Sequence, residues 1–160
     1  DLWYLPTLAV TCARNIEALS DQPWQTIEMQ QAQPIHRAGV RLAYEIGVKL
    51  CVGDDYPGTP KTWRMGDRTW YELQELATCG LSPMEAIVAG TRTNAEAYRL
   101  DDLGTLEAGK RADLIVINGN PLDDLAIPYQ PENILLVIKD GSVEFADGDY
   151  LKHYRLREQL

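Results

Sequence analysis

Apolar and polar positions fall in blocks along the 160 residues. Leu2 to Val10 is mostly apolar and rich in strand formers. A run apolar on both faces predicts a parallel strand covered from two sides, with Pro6 at its end or at a bulge. Arg14 to about Gln33 is polar, contains Ser20-Asp21-Gln22-Pro23-Trp24, and reads as an excursion that is helical in part. Pro34 suits the first turn of a helix that runs to Glu45 and closes at Gly47. Val48 to Val52 is a second strand, and Gly53 to Pro60 a loop. Strand, helix, strand and loop in that order predict a βαβ unit and a parallel sheet.

A helix is predicted from Arg68 to Thr78, ending at Gly80. The next starts at Ser82-Pro83-Met84-Glu85, with Ser82 as N-cap, Pro83 at the first helical position and Glu85 closing a capping box. A third helical stretch covers Asn94 to Leu100. The pattern then changes to short apolar runs, Ala112 to Ile117 and Ile134 to Lys139. Asp140-Gly141 follows, then Ser142 to Phe145, which predicts a hairpin because both turn positions need positive φ. The segment from Asp147 to Leu160 is charged and reads as a surface helix or loose tail.

Composition narrows the function. With 15 Lys+Arg against 24 Asp+Glu the net charge is −9. Phosphate backbones and anionic membrane surfaces repel such a chain, so neither nucleic acid nor membrane is an expected partner. The 45% hydrophobic content excludes general disorder. A domain of this length buries about 70% of its unfolded surface. Cys12, Cys51 and Cys79 are odd in number and form no Cys-x-x-Cys, so buried thiols in a reducing, cytoplasmic compartment are expected. The longest apolar runs are too short to span a bilayer, and no signal peptide is recognisable. The chain opens on a strand without an initiating Met, which points to a piece of a longer protein.

The end of the second strand holds the candidate chemistry. Alternation puts Val48, Leu50 and Val52 on one face and Lys49, Cys51, Gly53 and Asp55 on the other. In a closed parallel barrel the second face points to the axis, and active sites lie at the carboxyl ends of the strands. A carboxylate at Asp55 can ligate a metal or take a proton from water. A solvated loop with two turn-forming acids, Asp54 and Asp55, is the other reading. His36 and His153 form no ligand pair and read as structural or solvated. Arg92 and Arg111 could bind an anion, but surface ion pairs suit them better. Trp3, Tyr4, Trp24, Trp63, Trp70 and Tyr71 suit core or loop packing, and Tyr56 could line a pocket mouth.

Several segments together resemble the C-terminal part of the amidohydrolase superfamily, its imidazolonepropionase-like and Xaa-Pro dipeptidase-like branch. Tyr4-Leu5-Pro6-Thr7-Leu8 resembles the seventh barrel strand. Gly47-Val48-Lys49-Leu50-Cys51-Val52-Gly53-Asp54-Asp55 resembles the eighth, which usually ends in Gly-Thr-Asp. Gly80 to Ala86 and Thr91 to Ala95 are similar to the helices that follow. Leu103 to Leu114, Gly119 to Leu122 and Val137 to Gly141 are similar to the return into a small β domain.

The resemblance implies an α/β fold. It would be the C-terminal segment of a (β/α)8 TIM-like barrel over residues 1–101, then antiparallel strands of a small β-sandwich over 102–146, then the charged tail 147–160. It implies a metal-dependent hydrolase, with a divalent metal, usually zinc, in the full-length parent. Asp55 would be the proton acceptor for the metal-bound water and a metal ligand, acting on an amide, peptide or cyclic amide such as a dipeptide. The family's His-x-His, lysine and further histidines have no counterpart here, and the usual Thr before the aspartate is Asp54. A complete barrel needs about 250 residues. The chain alone is therefore expected to be inactive, to hold no metal tightly, and to self-associate or pair with an N-terminal part. A non-catalytic assembly module and one half of a split hydrolase are the alternatives.

Overall fold

The computed structural model describes residues 2–12, 23–55 and 67–148. Residues 13–22, 56–66 (with Tyr56 and Trp63) and 149–160 (with His153) lie outside the described residues.

Strand β1, Trp3–Tyr4, pairs in parallel with β2, Lys49–Leu50, with Trp3 opposite Lys49 and Tyr4 opposite Leu50. The Cys51 amide donates to the Tyr4 carbonyl at 2.9 Å and carries the pairing one residue further. The first strand was predicted to reach Val10, but Thr7 turns into the left-handed region (φ 51°) and Leu8–Thr11 coils into a 3-10 turn. The pull comes from outside the segment, because Glu72 captures the Leu8 and Ala9 amides.

Helix α1 spans Pro23–Glu45 and passes through Pro34, where the sequence predicted a helix start. Pro34 leaves the carbonyl four residues earlier without its helical donor. Both Gln30 and Pro34 are exposed, so that carbonyl is open to solvent and the helix continues through Pro34. Helix α2, Asp67–Thr78, ends as predicted beside Gly80, whose φ is 113°.

Helix α3, Pro83–Val88, opens on the predicted capping box. The Glu85 amide donates to Ser82 Oγ at 3.3 Å, and the Ser82 amide to Glu85 Oε2 at 2.7 Å. A wide π-turn, Ala89–Thr93, leads straight into α4, Asn94–Ala97. The third helical stretch is therefore continuous with the second, and it stops at Ala97 rather than Leu100. Arg99 takes a left-handed backbone there (φ 58°).

Strands β3 (Leu114–Ile117), β4 (Ile134–Lys139) and β5 (Ser142–Ala146) form an antiparallel sheet in that order. Asp140 (φ 51°) and Gly141 (φ 78°) make the predicted hairpin turn.

The core lies where the parallel pair meets α1, α2 and α3. Leu8, Val40, Leu50, Val52, Leu73 and Leu76 are its centre. Cys12, Cys51 and Cys79 are free and buried, as the sequence predicted. Trp24 departs from the prediction of packing, being 61% exposed.

Candidate active site

Parallel pairing brings the carboxyl ends of β1 and β2 side by side. Gly53 sits close against the side chains of Leu5 and Thr7. A Cβ on it would come within 3.3 Å of Leu5 Cδ2 and 3.5 Å of Thr7 Cγ2. Asp54 follows, half-buried, and then Asp55, exposed. The predicted alternation holds as far as Val52, with Leu50 and Val52 in the core and Lys49 and Cys51 on the other face toward Glu96 and Thr93, and it lapses by Asp55. Regular strand ends at Leu50, Asp55 is left-handed (φ 42°), Cys51 is fully buried and Lys49 is exposed. Once the ladder ends, the backbone is free to leave the two-residue repeat.

Helix α2 holds both strand ends from below. Arg68 and Glu72 stand four apart, on one face, and are 1% and 0% exposed. Arg68 Nη1 donates to the Asp55 carbonyl at 3.4 Å. Glu72 Oε1 and Oε2 accept the Leu8 and Ala9 amides at 2.9 and 2.7 Å. One helical turn thus pins the loop after β1 with an acid and the loop after β2 with a base. Burial pushes the Glu72 carboxyl up to about 7, although the Ala9 and Leu8 amides and nearby Arg68 favour its charged form.

Two further ties keep this arrangement rigid. Arg37 on α1 forks onto Glu75, with Nε and Nη2 each donating at 2.8 Å. Asn94 grips the Val52 backbone at the end of β2 with two bonds of 2.9 Å. Asp55 is then an exposed carboxylate on a backbone anchored at Val52 and at its own carbonyl. Such a group can accept a proton or contribute one ligand to a cation.

Among the described residues no group of three His, Cys, Asp or Glu side chains converges as a metal site. His36 sits half-buried on α1 and joins no such group. Arg111 pairs with Asp102 at 2.8 Å, as a surface ion pair. Arg92 lines a separate open cavity of about 400 Å³ with Lys49, Glu85 and Glu96. Arg68, Glu72 and Asn94 were not singled out from the sequence. A signal was there for the first two, because Arg68 and Glu72 continue at helical spacing into the apolar Leu76.

The model of the Amidohydrolase family matches residues 12–143. The chain belongs to the amidohydrolase family. This amidohydrolase chain is 33% identical over 94 residues to an imidazolonepropionase of Pyrobaculum arsenaticum, a match covering 59% of the chain and 23% of that protein. It is 29% identical over 140 residues to an ochratoxinase of Aspergillus niger, covering 85% and 27%. Among solved structures, a Xaa-Pro dipeptidase with methionine bound in its active site superposes with a TM-score of 0.73 at 30% identity, over 91% of this chain and 34% of that one. The A. niger ochratoxinase structure superposes with a TM-score of 0.71 at 27% identity, over 91% and 32%. The amidohydrolase chain therefore spans about a quarter of the curated relatives it matches. Its mixed helices and strands agree with the α/β class expected from the sequence. No helix among the described residues is long and apolar enough to cross a membrane.

Proposed function

We propose that this chain is the C-terminal part of a metal-dependent amidohydrolase that hydrolyses a C–N bond in an amide, peptide or cyclic amide. Residues 1–101 would contribute the last strands and helices of a (β/α)8 barrel, 102–146 part of a small β-sandwich, and 147–160 a tail. One observation carries the reading: Asp55 stands at the carboxyl end of a parallel strand, tied by Arg68, in a chain matched by the family model over most of its length. Catalytic groups of parallel barrels come from this end of the strands.

Asp55 is the proposed proton acceptor for the hydrolytic water and one metal ligand. Exposure leaves it accessible, and its held backbone limits the entropy lost on placing the carboxylate. The described residues do not by themselves fit a divalent metal. Asp55 and Asp54 are two carboxylates, where a tight zinc site takes three or four ligands. The remaining ligands would come from another part of the protein, so the chain alone is inactive and pairs with an N-terminal part. A dipeptide is the leading substrate class, from the likeness to the Xaa-Pro dipeptidase structure. Three free buried thiols favour a reducing compartment such as the cytoplasm. The same shortage of ligands favours, as a second reading, one half of a split hydrolase over an assembly module.

The test is metal content and turnover of the purified 160-residue chain after equilibration with zinc. Near-zero bound zinc and no hydrolysis of Xaa-Pro dipeptides are expected. Adding a polypeptide that supplies the earlier strands should bring activity, which Asp55→Asn removes. Turnover by the chain alone, abolished by Asp55→Asn, would refute the inactivity of the isolated chain. Reconstituted activity indifferent to Asp55→Asn would refute its role.

A further inference from the structure

Helix α1 carries an apolar stripe on its outward side, bordered by exposed Glu28, Gln30, Arg41 and Glu45. Its inward positions include Gln33, His36, Arg37, Val40 and Tyr44, all buried or half-buried and mostly polar. Its outward positions Trp24, Ile27, Ile35 and Leu42 are 61, 53, 74 and 57% exposed. Exposed Gln31 and Ala38 fill the gaps, so the six follow one another at spacings of three or four. They form a single stripe along about 27 Å of helix, at 1.5 Å per residue. A helix on a protein surface ordinarily turns its apolar stripe inward and its polar side to water. This stripe lies opposite Val40, which is 0% exposed in the core.

We propose that the stripe is the contact between two copies of this chain, with α1 of one protomer antiparallel to α1 of its partner. A two-fold axis crossing the helix midway between Trp24 and Leu42 sets Trp24 of one protomer over Leu42 of its partner, at both ends of the contact. From Trp24 to Leu42 the stripe contains no ionisable side chain, with Glu45 one step beyond it and Glu28 and Arg41 at its margins, and a two-fold contact needs only a self-complementary surface. The area fits. Four large apolar side chains exposed to this degree offer roughly 500–600 Å² per copy, the upper range of patches on monomers. Complete burial of both stripes would cover at most about 1,000–1,200 Å², the range of weak and transient contacts. A reversible dimer is the outcome such an area supports.

The experiment is sedimentation velocity of the 160-residue chain over a concentration series, with circular dichroism on each variant. The wild type should pass from monomer to dimer as concentration rises. Ile35→Glu should sediment as monomer throughout with its helix signal retained. Gln31→Lys replaces one exposed polar residue by another and leaves the fold alone. It places like charges near the two-fold axis and should weaken the dimer by at least about tenfold. Phe145→Glu, on the exposed face of the antiparallel sheet, should dimerise as wild type. The proposal is overturned by a wild type that stays monomeric at every concentration, or by Gln31→Lys and Ile35→Glu both dimerising normally. It is equally overturned by Phe145→Glu alone dissolving the dimer, which would place the contact on the sheet.

Discussion

Asn94 meets Val52 as a neighbouring strand would. The Val52 amide donates to Asn94 Oδ1 and Asn94 Nδ2 donates to the Val52 carbonyl, each at 2.9 Å. Successive backbone groups of a strand point to opposite sides. Cys51 spends its amide on Tyr4, and Val52 turns to the other side, where one side-chain amide supplies both the acceptor and the donor. A helix residue thereby continues the pairing of a two-residue strand just ahead of Gly53, Asp54 and Asp55.

Asn94→Ala leaves both Val52 groups without protein partners in a partly buried position. The expected loss is roughly 2–3 kcal/mol, from two hydrogen bonds of about 1 kcal/mol plus some desolvation penalty. Urea denaturation measures the loss. Faster hydrogen exchange at the Val52 amide, against unchanged exchange in β4, would show that the damage is local.

Glu72 sets a pH dependence of known sign. Its carboxyl titrates at about 7 in the folded chain, because burial penalises the charge, and at its ordinary 4.5 when unfolded. Between those values the folded state binds the proton more strongly, so stability falls as pH rises through about 4.5 to 7. The full effect is on the order of 3 kcal/mol. The urea midpoint should therefore be higher near pH 5 than near pH 8. Glu72→Gln should flatten this slope, while the weaker amide acceptor loosens the Leu8–Thr11 turn.

Arg37 and Glu75 differ in exposure, with side chains 34% and 11% exposed. Removing Arg37 strands a nearly buried carboxylate. Arg37→Ala should cost about 2–3 kcal/mol, toward the low end for breaking a buried pair. Arg37→Lys keeps the charge but loses the fork and should recover only part of that. Thermal melts of the two variants settle the order.

Gly104 and Gly109 separate backbone strain from crowding. Both have positive φ, +86° and +92°. A Cβ on Gly109 meets nothing within 4 Å, whereas on Gly104 it falls 2.7 Å from Ala95 Cβ and 3.0 Å from Arg92 Cα and the Thr91 carbonyl. Gly109→Ala should cost about 1 kcal/mol, for left-handed backbone alone. Gly104→Ala should cost roughly 2–4 kcal/mol, since backbone atoms cannot step aside. Denaturation midpoints of the two variants make the comparison.

Local chemistry was legible where a segment contains its own reason for its shape. The Ser82–Glu85 capping box and the Asp140-Gly141 hairpin are complete within a few residues. The order of segments carried the family, and periodicity located α2 and β4. Tertiary structure decided everything that depends on a distant partner. Leu8 to Val10 has strand composition, yet the segment coils because a carboxylate 64 residues away at Glu72 offers its amides a better acceptor. Pro34 suits a helix start, but on the exposed side of α1 the helix passes through it. Asp55 was visible as a candidate from its place after an apolar run. Arg68, which bonds the Asp55 carbonyl, and Asn94, which holds the Val52 backbone, were not, because their bonds span 13 and 42 residues. Sequence records which residues can cap, turn or alternate. Only packing selects which buried amides and carbonyls are left for a side chain to satisfy, and that selection shaped the strand ends on which Asp55 stands.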